Sequence, residues 1–179
     1  MSEPETADAS PRTIESASAS AREKLIEHVF LGELLRCLWQ KGKSDIEVLR
    51  PEVDAGGYDL AIECDGILRH IQLKSTRAGG KAAHVDIHTK LAAKPSGCVI
   101  WISFDERSLN LGPFLWMGGA PGEPLSSLGD KLARHSRADS TGSKRERPQL
   151  RAVAKRQFIQ LSDIGEVAEA LFGRSEASS

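Results

Sequence analysis

Cysteine is scarce, aromatic residues are few, and no apolar stretch approaches the roughly 18 residues that a membrane span requires. The three cysteines, Cys37, Cys64 and Cys98, are far apart and embedded in apolar segments. That spacing argues against a disulfide framework or a zinc site and leaves buried thiols as the expectation. Aromatics make up only 5% of the chain, and Trp39, Trp101 and Trp116 stand among aliphatics, where core packing is expected rather than base stacking. The N-terminal residues lack the basic-then-apolar pattern of a secretory signal, so a cytoplasmic protein with no membrane partner is expected. No internal repeat is present. What remains is the composition of an ordinary soluble domain, 40% hydrophobic and 27% charged. Its net charge of −1 conceals a strongly basic stretch near the C-terminal end.

The chain is organised around residues 50–77, RPEVDAGGYDLAIECDGILRHIQLKSTR. Asp65-Gly66 is a two-residue turn signal, because a type I′ turn needs positive φ at both central positions. Counting outward from it pairs Cys64 with Ile67, Ile62 with Arg69, Leu60 with Ile71 and Asp59 with Gln72. Side chains alternate across a strand, so Lys74 shares a face with Asp59 and Gln72, while Leu60, Ile62, Ile67, Ile71 and Leu73 point the other way. A slip of one residue would bury the lysine and expose the aliphatics.

Elsewhere the patterns are coarser. Residues 1–20 and 174–179 read as tails around a single domain, 21–173. Apolar residues at three- and four-residue spacing predict a helix over 21–41, with Gly42 as its stop. Glu27 falls inside that apolar stripe and needs a partner there, either a metal, a lysine or an arginine. Glu33 lies at the edge of the stripe. A strand is expected at 45–49, a loop at 51–57, and a polar, glycine-rich loop at 75–81. Residues 84–91 could form strand or helix. The run CVIWISF, 98–104, predicts a strand covered on both faces. A short strand is expected at 114–117, an amphipathic helix at 125–134, a strand at 157–161, and a helix at 163–172 with Ser162 as its cap. Between Lys131 and Arg156 nine Lys or Arg face two acids, a net of +7. The centre of this stretch, 136–148, has no apolar periodicity and reads as a mobile basic loop.

This order predicts an α/β fold with a central mixed sheet flanked by helices. The residues also carry a resemblance. A helix-1 acid (Glu27 or Glu33), Asp59 in GGYDL, and Gln72-Leu73-Lys74 in HIQLKS resemble the PD-(D/E)xK nuclease superfamily with its restriction-endonuclease-like fold. Glutamine at position 72 is similar to the variant found in Mrr-like enzymes. The likeness covers about residues 21–105.

The resemblance implies a Mg²⁺- or Mn²⁺-dependent endonuclease acting on DNA, with Asp59, Gln72, Lys74 and Glu27 as catalytic residues. Asp59, the Gln72 side chain, the Leu73 carbonyl and Glu27 or Glu33 would be the oxygen donors, since Mg²⁺ takes one or two carboxylates and keeps several waters. Lys74 would act electrostatically, because an ammonium stays protonated unless strongly desolvated. A homodimer, one copy cutting each strand, is compatible with this reading. Ser75, Thr76 and Arg77, directly after the lysine, could contact a phosphate, as could Lys144, Arg145 and Arg147 of the basic loop. His84 and His88 would share one face of a helix, but no further ligand completes a metal site with them. Two alternatives stand beside the nuclease: a DNA-binding module of the same fold without catalysis, for which the uncharged Gln72 argues, and a protein-interaction subunit of a defence or repair system.

Overall fold

In the computed structural model, which describes residues 19–53, 56–135 and 145–174, the hairpin closes at the expected turn. Asp65 and Gly66 have φ of 49° and 78°. β2 (Leu60–Cys64) and β3 (Ile67–Arg77) pair antiparallel, with Leu60 opposite Ile71, Ile62 opposite Arg69 and Cys64 opposite Ile67. β1 (Ile46–Leu49) borders β2 at one edge. On the other side of β3 lies β5 (Gly97–Phe104), which runs parallel to it with Gln72 opposite Val99 and Lys74 opposite Trp101. β6 (Leu111–Gly118) and β9 (Ile159–Leu161) complete a six-stranded mixed sheet in the order β1-β2-β3-β5-β6-β9. The fold is therefore mixed α/β around a central mixed sheet, as the element order predicts.

Each face of that sheet has its own cover. On the first, α1 (Ala19–Gln40) and α3 (Ile164–Phe172) bury Ile26, Phe30, Leu34 and Leu38 with Leu60, Ile62, Ile71, Ile100 and Val167. Full burial of such side chains stabilises by about 1.5–3 kcal/mol each before the entropy of ordering is subtracted. Across the second face lies a three-stranded sheet, β4-β8-β7, made from β4 (His84–His88), β8 (Glu146–Ala154) and β7 (Leu132–Arg134). Ile87 and Val153 from it meet Val99, Trp101 and Met117 of the main sheet. With aliphatics required on both sides, β5 is the continuous apolar run that the sequence shows.

Several expectations are corrected. Residues 125–134 form no helix. Leu125 and Leu128 are buried from a segment without regular structure, Gly129 takes φ 73°, and Leu132–Arg134 become β7. Pairing with β8 satisfies that backbone better than a helix interrupted by Gly129 would. The basic loop is shorter than expected, because Glu146–Pro148 belong to β8; residues 136–144 of it lie outside the described residues. So do 1–18 and 175–179 of the expected tails. α1 starts at Ala19, inside the expected N-terminal tail. The expected loop at 75–81 starts later, since pairing with β5 carries β3 through Arg77. β6 likewise extends beyond the short strand expected at 114–117.

His84–His88 is a strand, followed by α2 (Thr89–Ala92), so the two histidines do not share a helix face. The Asp163 side chain, not Ser162, caps α3 by accepting from the Glu166 N–H at 2.9 Å. Trp101 and Trp116 are core, but Trp39 is 70% exposed near the C-terminal end of α1. All three cysteines are buried free thiols.

Face alternation also has a consequence at Arg69, which pairs with Ile62 and therefore points into the aliphatic core. It is fully buried. Its Nε donates to the Leu171 carbonyl at 2.5 Å, Nη2 to that of Ala170 at 3.1 Å, and Nη1 to that of Gly119 at 3.0 Å. These include last-turn carbonyls of α3, where the helix dipole favours a cation. The guanidinium also lies 5.7 Å from the Trp116 ring centroid.

Candidate active site

Asp59 stands immediately before β2, and two bonds hold it in hairpin register. Its N–H donates to the Ile71 carbonyl at 2.8 Å, and its Oδ2 accepts from the Leu73 N–H at 2.7 Å. The carboxylate thus takes over, just before the start of β2, the role that the preceding backbone carbonyl would have played had the strand begun earlier. N–H and C=O of one strand residue point to the same edge. The Leu73 carbonyl is accordingly directed to the side where Asp59 stands, before the start of β2. Gly57 makes the approach feasible. It takes φ 74°, and a Cβ there would come within 2.7 Å of the His88 Cβ. Only glycine meets both demands cheaply.

A cleft of about 270 Å³ opens at this point, lined by Glu23, Lys24, Ile26, Glu27, Asp59, Leu73, Lys74, Ser75, Val85 and Ile102. It collects the first turns of α1, the end of the hairpin and the start of β4. Glu27, Asp59 and Lys74, all singled out in the sequence, meet here although they are separated by as much as about a third of the domain's length in chain order. Lys74 is half-buried, and no ion pair engages it among the described residues.

Glu27 is held from two sides. Its side chain is 7% exposed, with Oε2 accepting from Lys24 Nζ at 2.7 Å and Oε1 from Arg50 Nε at 3.0 Å. A carboxylate so deeply placed requires charge partners, and these two supply them. Lys24 has a local signal in the sequence, its i,i+3 spacing to Glu27. Arg50 has none: it reaches Glu27 across 23 residues, from the segment after β1.

The other candidates lie elsewhere. Gln72 is 8% exposed and does not line the cleft; its Oε1 accepts from the His88 N–H at 3.4 Å, beneath β4. Glu33 is half-buried on α1, also away from the cleft. Ser75 lines it, Thr76 is half-buried in β3, and Arg77 pairs with Glu106. Arg145 is exposed, Arg147 lies 3.8 Å from Asp86, and Lys144 is outside the described residues. His88 is occupied as well, its Nδ1 accepting from the Lys90 N–H to cap α2. His84 lines a second, open depression of about 730 Å³ beside the small sheet, together with Asp86, Asp130, Lys131, Arg134, His135 and Glu146. Its charges are mixed, and Arg134 and Glu146 pair with each other at 3.3 Å.

Among the described residues no cluster of three or more His, Cys, Asp or Glu is arranged to hold a metal. By their chemistry, the carboxylates of Glu27 and Asp59 and the Leu73 carbonyl are oxygen donors of the kind that a hard cation retaining most of its water takes, the mode usual for Mg²⁺. They would not fit a thiolate- or imidazole-seeking metal.

No protein-family model matches the chain, and no curated protein matches it. Among solved structures, the bacterial homing endonuclease I-Ssp6803I is similar at a TM-score of 0.33 and 19% identity, over 72% of this chain and 87% of that one.

Proposed function

We propose that the chain is a metal-dependent nuclease of the restriction-endonuclease-like fold, hydrolysing DNA phosphodiester bonds in the cleft between α1 and the end of the hairpin. The observation that carries this reading is the convergence of Glu27, Asp59 and Lys74 on one cleft from separate elements. Asp59, the Leu73 carbonyl and Glu27 would hold Mg²⁺ or Mn²⁺. Such a cation, when bound, supplies charge neutralisation at the phosphoryl oxygens and a more acidic water. The chain itself supplies position and field. Asp59 accepts from the Leu73 N–H, so the orientation of its carboxylate is set before any ligand arrives. Lys74, half-buried beside it, offers an ammonium to the negative charge that builds on the phosphate in the transition state. Gln72 supports β4 through the His88 N–H, outside the lining of the cleft.

The test is cleavage of plasmid, linear and branched DNA by purified protein in Mg²⁺ or Mn²⁺. Activity that requires the cation and collapses in folded Lys74→Ala and Asp59→Ala variants supports the proposal; equal cleavage by wild type and both variants overturns it. A second reading, a DNA-binding module without catalysis, is favoured by one specific arrangement: both Glu27 oxygens are already engaged by Lys24 and Arg50. Such a module would bind DNA with steep salt dependence and leave it uncut under every cation.

A further inference from the structure

Glu27 is ringed by cations in a cleft where a nuclease would need it for a metal. This inference rests on the nuclease reading and deepens it. We infer that Lys24 and Arg50 are exchange partners: they hold Glu27 while the cleft is without ligand, and pass to the phosphate of a bound nucleic acid when a divalent cation takes the carboxylate.

The geometry on which this stands is specific. Glu27 is the deeply buried member of the triad, at 7% side-chain exposure, whereas Lys24 and Arg50 are 66% and 44% exposed. The carboxylate is thus fixed by its place on the apolar stripe, and both cations are on the solvent side and able to move. Lys24 and Glu27 line the same cleft as Asp59 and Lys74. Arg50 meets Glu27 only through Nε, and its two terminal nitrogens make no other bond among the described residues. Those terminal groups form the half of the guanidinium fork that suits a phosphate.

Electrostatics make the two states exclusive. A dication beside Glu27 would face two positive groups on the same carboxylate, and the repulsion is resolved only if they leave. A phosphodiester gives them a destination within reach. Burying Glu27 without any partner would be costly, so the cations also serve to keep the empty cleft stable. Occupancy by metal and by nucleic acid should therefore be positively coupled: each ligand removes what opposes the other.

The experiment measures Mn²⁺ affinity by electron paramagnetic resonance and DNA affinity by fluorescence anisotropy, neither of which depends on turnover. Arg50→Ala and Lys24→Ala should each bind Mn²⁺ about two- to fivefold more tightly, the gain expected when a half-exposed ion pair no longer competes. Each should lower the slope of log affinity for DNA against log salt by about one. Arg50→Lys should restore the slope. The reciprocal variant Glu27→Gln removes the negative charge that holds both cations and leaves a single neutral acceptor, so it should bind DNA more tightly than wild type in EDTA while losing Mn²⁺ affinity; it also covers the case in which an alanine variant fails to fold. If the alanine variants melt earlier but leave Mn²⁺ affinity and salt slope unchanged, the pairs are only structural and the exchange is wrong, whether or not the protein cuts DNA. Wild-type protein that binds Mn²⁺ and DNA independently of one another also overturns the exchange while leaving the nuclease reading intact. Absence of DNA binding and of Mn²⁺ binding in wild type overturns both.

Discussion

Arg69 and Lys74 are basic residues five positions apart on the same strand, and they have opposite fates. Odd and even positions of β3 face opposite sides of the sheet. Arg69 enters the helix-covered core, where backbone carbonyls of α3 and of the segment after β6 absorb its guanidinium. Lys74 reaches the rim beside the start of β2, in a cleft that Glu23, Glu27 and Asp59 also line. Five-fold donation in a fixed planar fork suits the first position, and a compact ammonium on a flexible stem suits the second. A charge wholly satisfied by its own fold builds architecture, and one left facing a cleft is available for chemistry.

The sharpest way to break the comparison is to exchange the two outcomes. Arg69→Ala removes donors from several buried carbonyls and opens a void, so it should cost about 3–5 kcal/mol in urea unfolding. Burial draws the Arg69 pKa down from its ordinary value, with Cys98 opposing slightly, yet a guanidinium remains charged at any practical pH. The loss should therefore be independent of pH between 5 and 9. A loss below about 1 kcal/mol would mean that the carbonyls find other partners and that Arg69 is not structural.

Lys74→Ala should do the reverse. Its stability should stay within about 1 kcal/mol of wild type, as for a half-buried side chain without a charge partner among the described residues. Cation-dependent DNA cleavage should fall about 10²- to 10³-fold, the usual loss for one electrostatic contact to a developing oxyanion. A variant that unfolds in step with its loss of cleavage would place Lys74 with Arg69, among the groups that hold the fold.

Gly57 sharpens the contrast at a smaller scale, because it lies beside Asp59 yet contributes no chemistry. With φ at 74° and no room for a Cβ against His88, Gly57→Ala should cost about 1–3 kcal/mol. Cleavage should drop by more than the folded fraction explains, since the displaced backbone carries Asp59 with it.

How much of this was legible in the residues depends on distance along the chain. The hairpin register, the burial of Glu27 and the double-sided cover of β5 follow from turn chemistry and periodicity, which act over a few residues. Alternation also put Arg69 on the core face, but its four carbonyl contacts come from about 50 and 100 residues away, where no local pattern points. Arg50 escaped notice for the same reason. The helix expected at 125–134 failed because Leu125, Leu128 and Leu132 share a helical spacing by accident: the first two fill the second core from a loop, and the third is drawn into pairing with β8. Gln72 was placed on the correct face, but the small sheet that covers this face pairs β4 with β8, more than 50 residues further along the chain, and the sequence offered no sign that His88 would meet it.

The weakest of the expected effects concerns a carboxylate that serves as a control for Asp59. Asp105 follows β5, fully committed to its own turn: Oδ1 accepts from the Ser108 N–H at 2.8 Å, the Ser108 hydroxyl at 2.9 Å and the Arg107 N–H at 3.0 Å. Those bonds, Ser108's first, hold its pKa below the ordinary value of 3.8. A depressed carboxylate pKa contributes stability that is fully present above the unfolded value and is lost as pH falls through the folded one. Asp105→Asn should thus melt slightly below wild type at pH 6, and the gap should close as the pH is lowered below about 4. DNA affinity should not change, because every acceptor direction that Asp105 uses is turned toward its own loop. If this substitution altered DNA binding as much as Asp59→Ala does, local commitment of a charge would no longer separate architecture from chemistry in this fold.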